Sequence, residues 1–154
     1  MNMRKIYLGL AVCFALSMTC WASDPNVGSW KLNESKSKIP AGAPKNTSVT
    51  YTAEGDQYKG VVEGVDAKGN ATHNEWTGKF DGKDYPVTGD PNVDSRAIKE
   101  TSKNHYSLSN KKDGKATTTG TAVVSPDGKT RTVKITSTDD KGKKMSATYV
   151  YDKQ

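Results

Sequence analysis

Cysteine is confined to the first 22 residues of this 154-residue chain, as Cys13 and Cys20, so the remainder can hold neither a disulfide nor a thiolate metal site. Large aliphatic side chains are scarce as well: beyond residue 22 there are two leucines, three isoleucines, eleven valines and one phenylalanine. So thin a stock raises disorder as an alternative. Against it stand two tryptophans, six tyrosines and sixteen threonines in the same stretch, which is strand-forming composition. Histidine is limited to His73 and His105, too few and too far apart in sequence to make a zinc site by themselves. No H-E-x-x-H pair and no G-x-S-x-G elbow occurs, and the glycines stand singly rather than clustered ahead of a helix. Metalloprotease, esterase and phosphate-loop chemistries therefore lack their motifs, and no cofactor or metal is expected.

The one long apolar run, Ile6–Ala15, is preceded by Arg4 and Lys5 and followed by the small-residue exit Cys20-Trp21-Ala22. This is the pattern of a secretory signal cleaved after Ala22 or Ser23. The run is too short for the roughly 20 residues of a spanning helix, so no stable membrane insertion is expected once residues 1–22 are removed. Ser17-Met18-Thr19 fits a lipid-anchor motif at Cys20 poorly. Export without disulfides points to the bacterial periplasm or a secreted protein, with residues 23–154 as one domain. Removing the signal takes the formal charge from +6 to +4, because it holds two basic residues and no acidic one. The remaining basic residues are scattered or sit beside acids, as in Lys111-Lys112-Asp113, which argues against nucleic acid as a partner.

No segment beyond residue 23 carries a 3.6-residue apolar period, whereas short alternating runs recur between glycine turns. The expected strands are Gly28–Asn33, Thr47–Ala53, Gln57–Val65, Ala71–Phe80, Asp94–Thr101, His105–Lys111, Ala116–Ser125, Thr130–Thr138 and Lys144–Asp152. Glu54-Gly55-Asp56, Asp66-Ala67-Lys68-Gly69, Asp113-Gly114, Pro126-Asp127-Gly128 and Asp139-Asp140-Lys141-Gly142 are tight-turn sequences that join them as hairpins. An all-β, antiparallel, up-and-down barrel of about eight to nine strands is predicted, since closure removes the exposed edges a meander would keep. A two-sheet β-sandwich is the alternative, although it usually needs longer crossing connections.

Gly28-Ser29-Trp30-Lys31-Leu32 at the start of this domain, and Tyr149-Val150-Tyr151-Asp152-Lys153 at its end, resemble the lipocalin and fatty-acid-binding-protein superfamily. The resemblance implies a calycin barrel that holds a small apolar or amphipathic ligand. It also implies that Trp30 closes one barrel end and packs against an arginine of a late strand, for which Arg131 is the candidate. The threonine-aspartate-tyrosine signature of many lipocalins is absent, since Thr138-Asp139-Asp140 supplies no tyrosine.

Concave ligand sites combine aromatic walls with a few placed polar groups. On that ground Tyr51, Tyr58, Trp76, Tyr106 and Tyr149 are the expected lining, with His73 and Arg96 as polar support. His73 lies two positions from Glu75 on an expected strand, which places a base beside a carboxylate on one face. The proline-containing stretch 81–94 reads as a crossover loop, and loops of this kind often carry function. Its Asp90-Pro91-Asn92-Val93-Asp94 starts like a calcium loop but lacks the glycine and glutamate such a loop requires, so no calcium site is expected. Three readings of function follow: a non-enzymatic carrier with a ligand inside the barrel, an envelope stress or interaction protein that works through loop 81–94, and a small barrel enzyme.

Overall fold

The computed structural model describes residues 24–138 and 142–154; the expected signal segment and the Asp139-Asp140-Lys141 turn lie outside them. Ten strands form one closed antiparallel barrel: β1 (Gly28–Leu32), β2 (Lys45–Glu54), β3 (Gln57–Val65), β4 (Ala71–Gly78), β5 (Tyr85–Thr88), β6 (Ser95–Ser102), β7 (His105–Lys112), β8 (Lys115–Val124), β9 (Thr130–Thr138) and β10 (Lys144–Lys153). This is the closed up-and-down architecture the sequence predicts, not a two-sheet sandwich, but with ten strands rather than eight to nine. Consecutive strands pair throughout, and β1 closes the circle between β2 and β10, at Trp30↔Val49 and Trp30↔Lys153. No helix of the described residues is long and apolar enough to cross a membrane.

The additional strand comes from the stretch expected to be a loop. Residues 81–94 run up the wall: Gly82 N donates to Ile98 O, Glu100 N donates to Phe80 O, and β5 then fills the gap between β4 and β6. Four residues flanked by Gly82 and Gly89 and containing Pro86 do not look like a strand, because proline gives up a ladder donor. The register tolerates it, since β5 makes only two pairs on each side, among them Trp76↔Val87 and Pro86↔Ser95.

Strand polarity sorts the connections to two ends. The turns after β2, β4, β6 and β8 and both described chain ends lie at one end; the turns after β3, β5, β7 and β9 and the segment 33–44 lie at the other. At the first end Trp30, Asn26, Tyr106, Val124 and Tyr151 are all fully buried, and residues 24–27 cross beneath them, so this end is sealed. At the other end the inward-facing Leu108, Asn110, Thr118, Ile135 and Ser137 remain half-buried, and Met145 is 39% exposed. This end is the mouth.

One seam needs side chains to hold it. Beyond Lys31↔Ser48, β1 leaves β2 and stays with β10, a 3₁₀ turn at Glu34–Lys36 intervenes, and Lys38 resumes the pairing at Thr148. Toward the mouth β2 and β10 therefore have no strand between them. Tyr149 Oη donates to Pro44 O at 3.0 Å and Tyr151 Oη to Asn46 O at 3.2 Å, bridging the gap.

Candidate functional site

Alternation along each strand decides what the interior contains, because successive side chains point to opposite faces. Trp76 and Asn74 face inward on β4, Tyr51 and Val49 on β2, Arg96 and Ile98 on β6, Tyr106 on β7, Arg131 and Val133 on β9, and Tyr149 and Tyr151 on β10. Of the residues expected to line a ligand, Tyr51, Tyr58, Trp76 and Tyr106 meet near the sealed end around Phe80. Phe80 stacks on Tyr58 with ring centroids 4.1 Å apart and on Trp76 at 6.0 Å, and it meets Tyr51 and Tyr106 edge-on. Tyr85 adds a further edge contact to Trp76. Glycines make room for these rings: a Cβ at Gly60 would stand 3.0 Å from Tyr51 Cε1 and 3.3 Å from Trp76 Cε3. The lower half of the barrel is thus filled by the protein's own aromatic side chains.

The polar floor of this half is a hub that sequence reasoning did not find. Asn26 is fully buried; its carbonyl accepts from Trp30 Nε1 at 2.9 Å, and its Oδ1 accepts from Arg131 Nε at 2.8 Å. Asp24 Oδ1 accepts from Asn26 N and from Tyr106 Oη, at 2.8 and 2.7 Å. Burial first, and then this carboxylate, pushes the Tyr106 hydroxyl far above the usual phenol range. Trp30 and Arg131, the pair the resemblance expects at one barrel end, are both buried here and both donate to Asn26. The cation over the Trp30 ring is Lys153, 5.1 Å from the centroid, while Arg131 lies over Tyr51 and Tyr151 at 5.4 and 5.8 Å.

Toward the mouth the interior becomes polar and less crowded. Arg96 is 8% exposed, with its Nε donating to Asn110 Oδ1 at 2.8 Å and its Nη2 to Asn74 Oδ1 at 3.3 Å, while Trp76 Nε1 donates to the Arg96 carbonyl. Burial holds this guanidinium below the usual arginine range. Among the described residues neither Arg96 nor Arg131 forms an ion pair with a carboxylate; the pairs are made by lysines and His73. The half-buried Leu108 and Ile135, and Met145 at the rim, also face inward in this half and supply apolar surface. Tyr149 is near this end, but its hydroxyl is committed to the seam at Pro44.

His73 is a correction. It lies on the outer face, exposed, and cannot support an interior site, because its odd number puts it opposite Asn74 and Trp76 on β4. There its Nδ1 is 2.6 Å from Glu63 Oε1 and its Nε2 3.4 Å from Glu75 Oε1, with Lys59 on the far side of Glu75. The hydrogen bond to Glu63 is the largest cause of a raised imidazole pKa. Residues 81–94, read from sequence as a crossover loop, are tied to the barrel by several contacts: Tyr85 covers Gly78, Asp94 Oδ2 accepts from Asp113 N, and Lys111 pairs with Asp84. Among the described residues no cluster of three or more histidine, cysteine or carboxylate groups could hold a metal ion.

Two open depressions mark the outer surface, of about 400 and 390 Å³, and neither is lined by the interior residues Tyr51, Trp76, Arg96 or Tyr106. Comparison with known proteins adds little: no family model and no curated protein matches the sequence. Among solved structures, lobster apocrustacyanin A1 is similar, with 13% sequence identity, 86% of this chain and 63% of that chain covered, and a TM-score of 0.43. This chain spans less than two thirds of that protein's length.

Proposed function

We propose that the protein is an exported, non-enzymatic binding protein that takes a small amphipathic ligand with an anionic head through the mouth of the barrel. The observation that carries this reading is Arg96, a nearly buried guanidinium held by two neutral amide oxygens, with no carboxylate at ion-pair distance among the described residues and Asp90 acting on it only from farther away. A buried charge without a counter-ion is costly unless something of opposite sign completes the site. Ligand carboxylate or phosphate oxygens would do so with charge-assisted hydrogen bonds. The tail would lie along Leu108, Ile135 and Met145, which face inward yet are not covered. The filled lower half limits the occupant to a short chain. Export rests on the amino-terminal pattern of Arg4, Lys5 and Ile6–Ala15.

The test is titration of the purified domain with decanoate and with decanol, followed by tryptophan fluorescence, because Trp76 hydrogen-bonds the Arg96 carbonyl. Decanoate is expected to bind at least tenfold more tightly than decanol, and R96Q to remove that preference. Equal binding of acid and alcohol, or an R96Q variant that keeps the preference, would overturn the assignment.

A further inference from the structure

The hydrogen bonds around Arg96 leave a one-sided remainder. A guanidinium has N–H groups and no acceptor, so the amides that meet it must turn their oxygens toward it. Asn110 Oδ1 accepts from Nε at 2.8 Å and Asn74 Oδ1 from Nη2 at 3.3 Å. The Nη1–Nη2 edge of Arg96 and both amide nitrogens, Asn74 Nδ2 and Asn110 Nδ2, are then left with no acceptor among the described residues. Asn26 Nδ2 is the fully buried side-chain donor that lacks a partner among those residues, so the free N–H groups at Arg96 border space that solvent reaches. Register sets them in a row: Arg96 on β6 pairs with Asn110 on β7, Asn110 with Thr118 on β8, and Thr118 with Ser137 on β9. Thr118 Oγ1 and Ser137 Oγ are 3.1 Å apart, and the row ends on β10 at Met145. It contains no carboxylate. Asp90, which acts on Arg96 from farther away, accepts from Asn92 N in the turn after β5.

On the reading that an anionic head enters at Arg96, on which the rest depends, these leftover donors narrow the chemistry of the head. A carboxylate has two oxygens, and the free guanidinium edge alone would take both as a bidentate pair. The two amide nitrogens would then be covered without an acceptor, which loses their hydration and returns no bond. A phosphate monoester brings three acceptor oxygens and a charge of roughly −1.5 to −2 at neutral pH, enough for the edge and the amides together. Charge points the same way. Arg131 is a second buried guanidinium of the interior, held by Asn26 and also without an ion pair, and its charge disfavours that of Arg96. Two like charges inside one barrel are offset better by a dianion than by a monoanion. We propose that the mouth selects a phosphate monoester on a short apolar chain, its phosphate oxygens on the Arg96 edge, Asn74 Nδ2 and Asn110 Nδ2. From Arg96 to Met145 the row passes from donors to hydroxyls to an apolar side chain, the order of an amphiphile's head, linker and tail.

The probes are decyl phosphate, decanoate, decanol and inorganic phosphate, titrated into the purified protein and followed by tryptophan fluorescence, with inorganic phosphate also tested as a competitor. Decyl phosphate is expected to bind at least tenfold more tightly than decanoate, and inorganic phosphate at least tenfold more weakly than decyl phosphate. N74A and N110A, each checked for the barrel by far-UV circular dichroism, should cut the advantage of phosphate over carboxylate to less than threefold, while decanoate still binds better than decanol. Decyl phosphate and decanoate binding equally, both above decanol, would overturn the phosphate head and leave the anionic reading standing. All three decyl compounds binding equally would remove both. Inorganic phosphate binding as tightly as decyl phosphate would make the occupant a free ion and overturn the amphiphile. Asparagine variants that weaken decyl phosphate and decanoate by the same factor would show that the amides only hold Arg96, and would also overturn the proposal.

Discussion

Asn26 is the residue whose replacement separates two accounts of the sealed end. It is fully buried, it accepts from Arg131 and Trp30, and its Nδ2 is a buried donor without an acceptor in the structure. N26A removes a hydrogen bond to a charged group, worth about 1.5–3 kcal/mol, and opens a small void, but it also removes the unsatisfied amide, so the net loss is expected near 2 kcal/mol. For a domain of this size that is a fall of roughly 6–10 °C in Tm. N26D keeps the acceptor for Arg131, deletes the orphan donor and supplies a carboxylate to a guanidinium that has none. Burying a carboxylate costs several kcal/mol by itself, yet here the partner charge is already buried, so N26D is expected within about 1 kcal/mol of wild type at pH 7. Its carboxyl would be depressed by Arg131 below the unfolded value of about 3.9, so its contribution is present above that pH and disappears as pH falls through the folded pKa. Urea unfolding at pH 7 and pH 3.5, followed by the fluorescence of Trp30 and Trp76, measures both effects. An N26D protein less stable than N26A at pH 7 would refute the claim that Arg131 lacks a counter-charge.

Two further outcomes follow from the same geometry. At Gly78 an added methyl would overlap the ring of Tyr85, so G78A is expected to lose about 1–3 kcal/mol by overpacking, measured by thermal melt, while G78A/Y85A should recover part of the loss; additive losses would count against the ring contact. His73, raised by its hydrogen bond to Glu63, contributes stability fully below the unfolded imidazole pKa of about 6.5 and loses it as pH rises through the folded value; NMR titration should place its midpoint above 6.5, and E63Q should lower it.

Nine of the ten strands were legible because each carries an alternating run bounded by turn residues, as in Val49 and Tyr51 of β2 or Ala147, Tyr149 and Tyr151 of β10. Strand β5 was not, because Tyr85-Pro86-Val87-Thr88 is short, holds a proline and owes its place to the gap between its neighbours. For the candidate site, the aromatic residues were recoverable from composition and alternation alone. Counting parity would also have excluded His73 from the interior, since it cannot share a face with Trp76. The neutral partners Asn26, Asn74 and Asn110 carry no signal in sequence, being ordinary residues until the barrel brings each to an arginine. Nor does sequence reveal that the Tyr149 hydroxyl is used at the seam, because that depends on where β1 leaves β2.

The scarcity of leucine and isoleucine has a different meaning once the axis of the barrel is known. A barrel with few aliphatic side chains is not thereby underfilled: each aromatic ring buries about 150–250 Å², and Gly60 and Gly78 let the rings of Tyr51, Trp76 and Tyr85 lie against the wall itself. Those bulky groups are concentrated toward the sealed end, with Trp30, Tyr51, Trp76, Phe80 and Tyr106 all within reach of the turns there. Inward positions toward the mouth lack aromatic rings except Tyr149 and mix small or polar residues, such as Gly64 on β3, Asn74 on β4, Thr118 and Gly120 on β8, Ser137 on β9 and Ala147 on β10, with the aliphatic Leu108, Ile135 and Met145. Aromatic content therefore falls along the axis in the direction in which exposure rises, and Arg96 stands on the less aromatic side of Trp76, whose Nε1 donates to its carbonyl. Arg131 and Arg96 are both buried on neutral amides, but Arg131 lies under aromatic rings at the sealed end whereas Arg96 sits toward the open one, which is why the proposed anionic ligand is placed at Arg96 and not at Arg131.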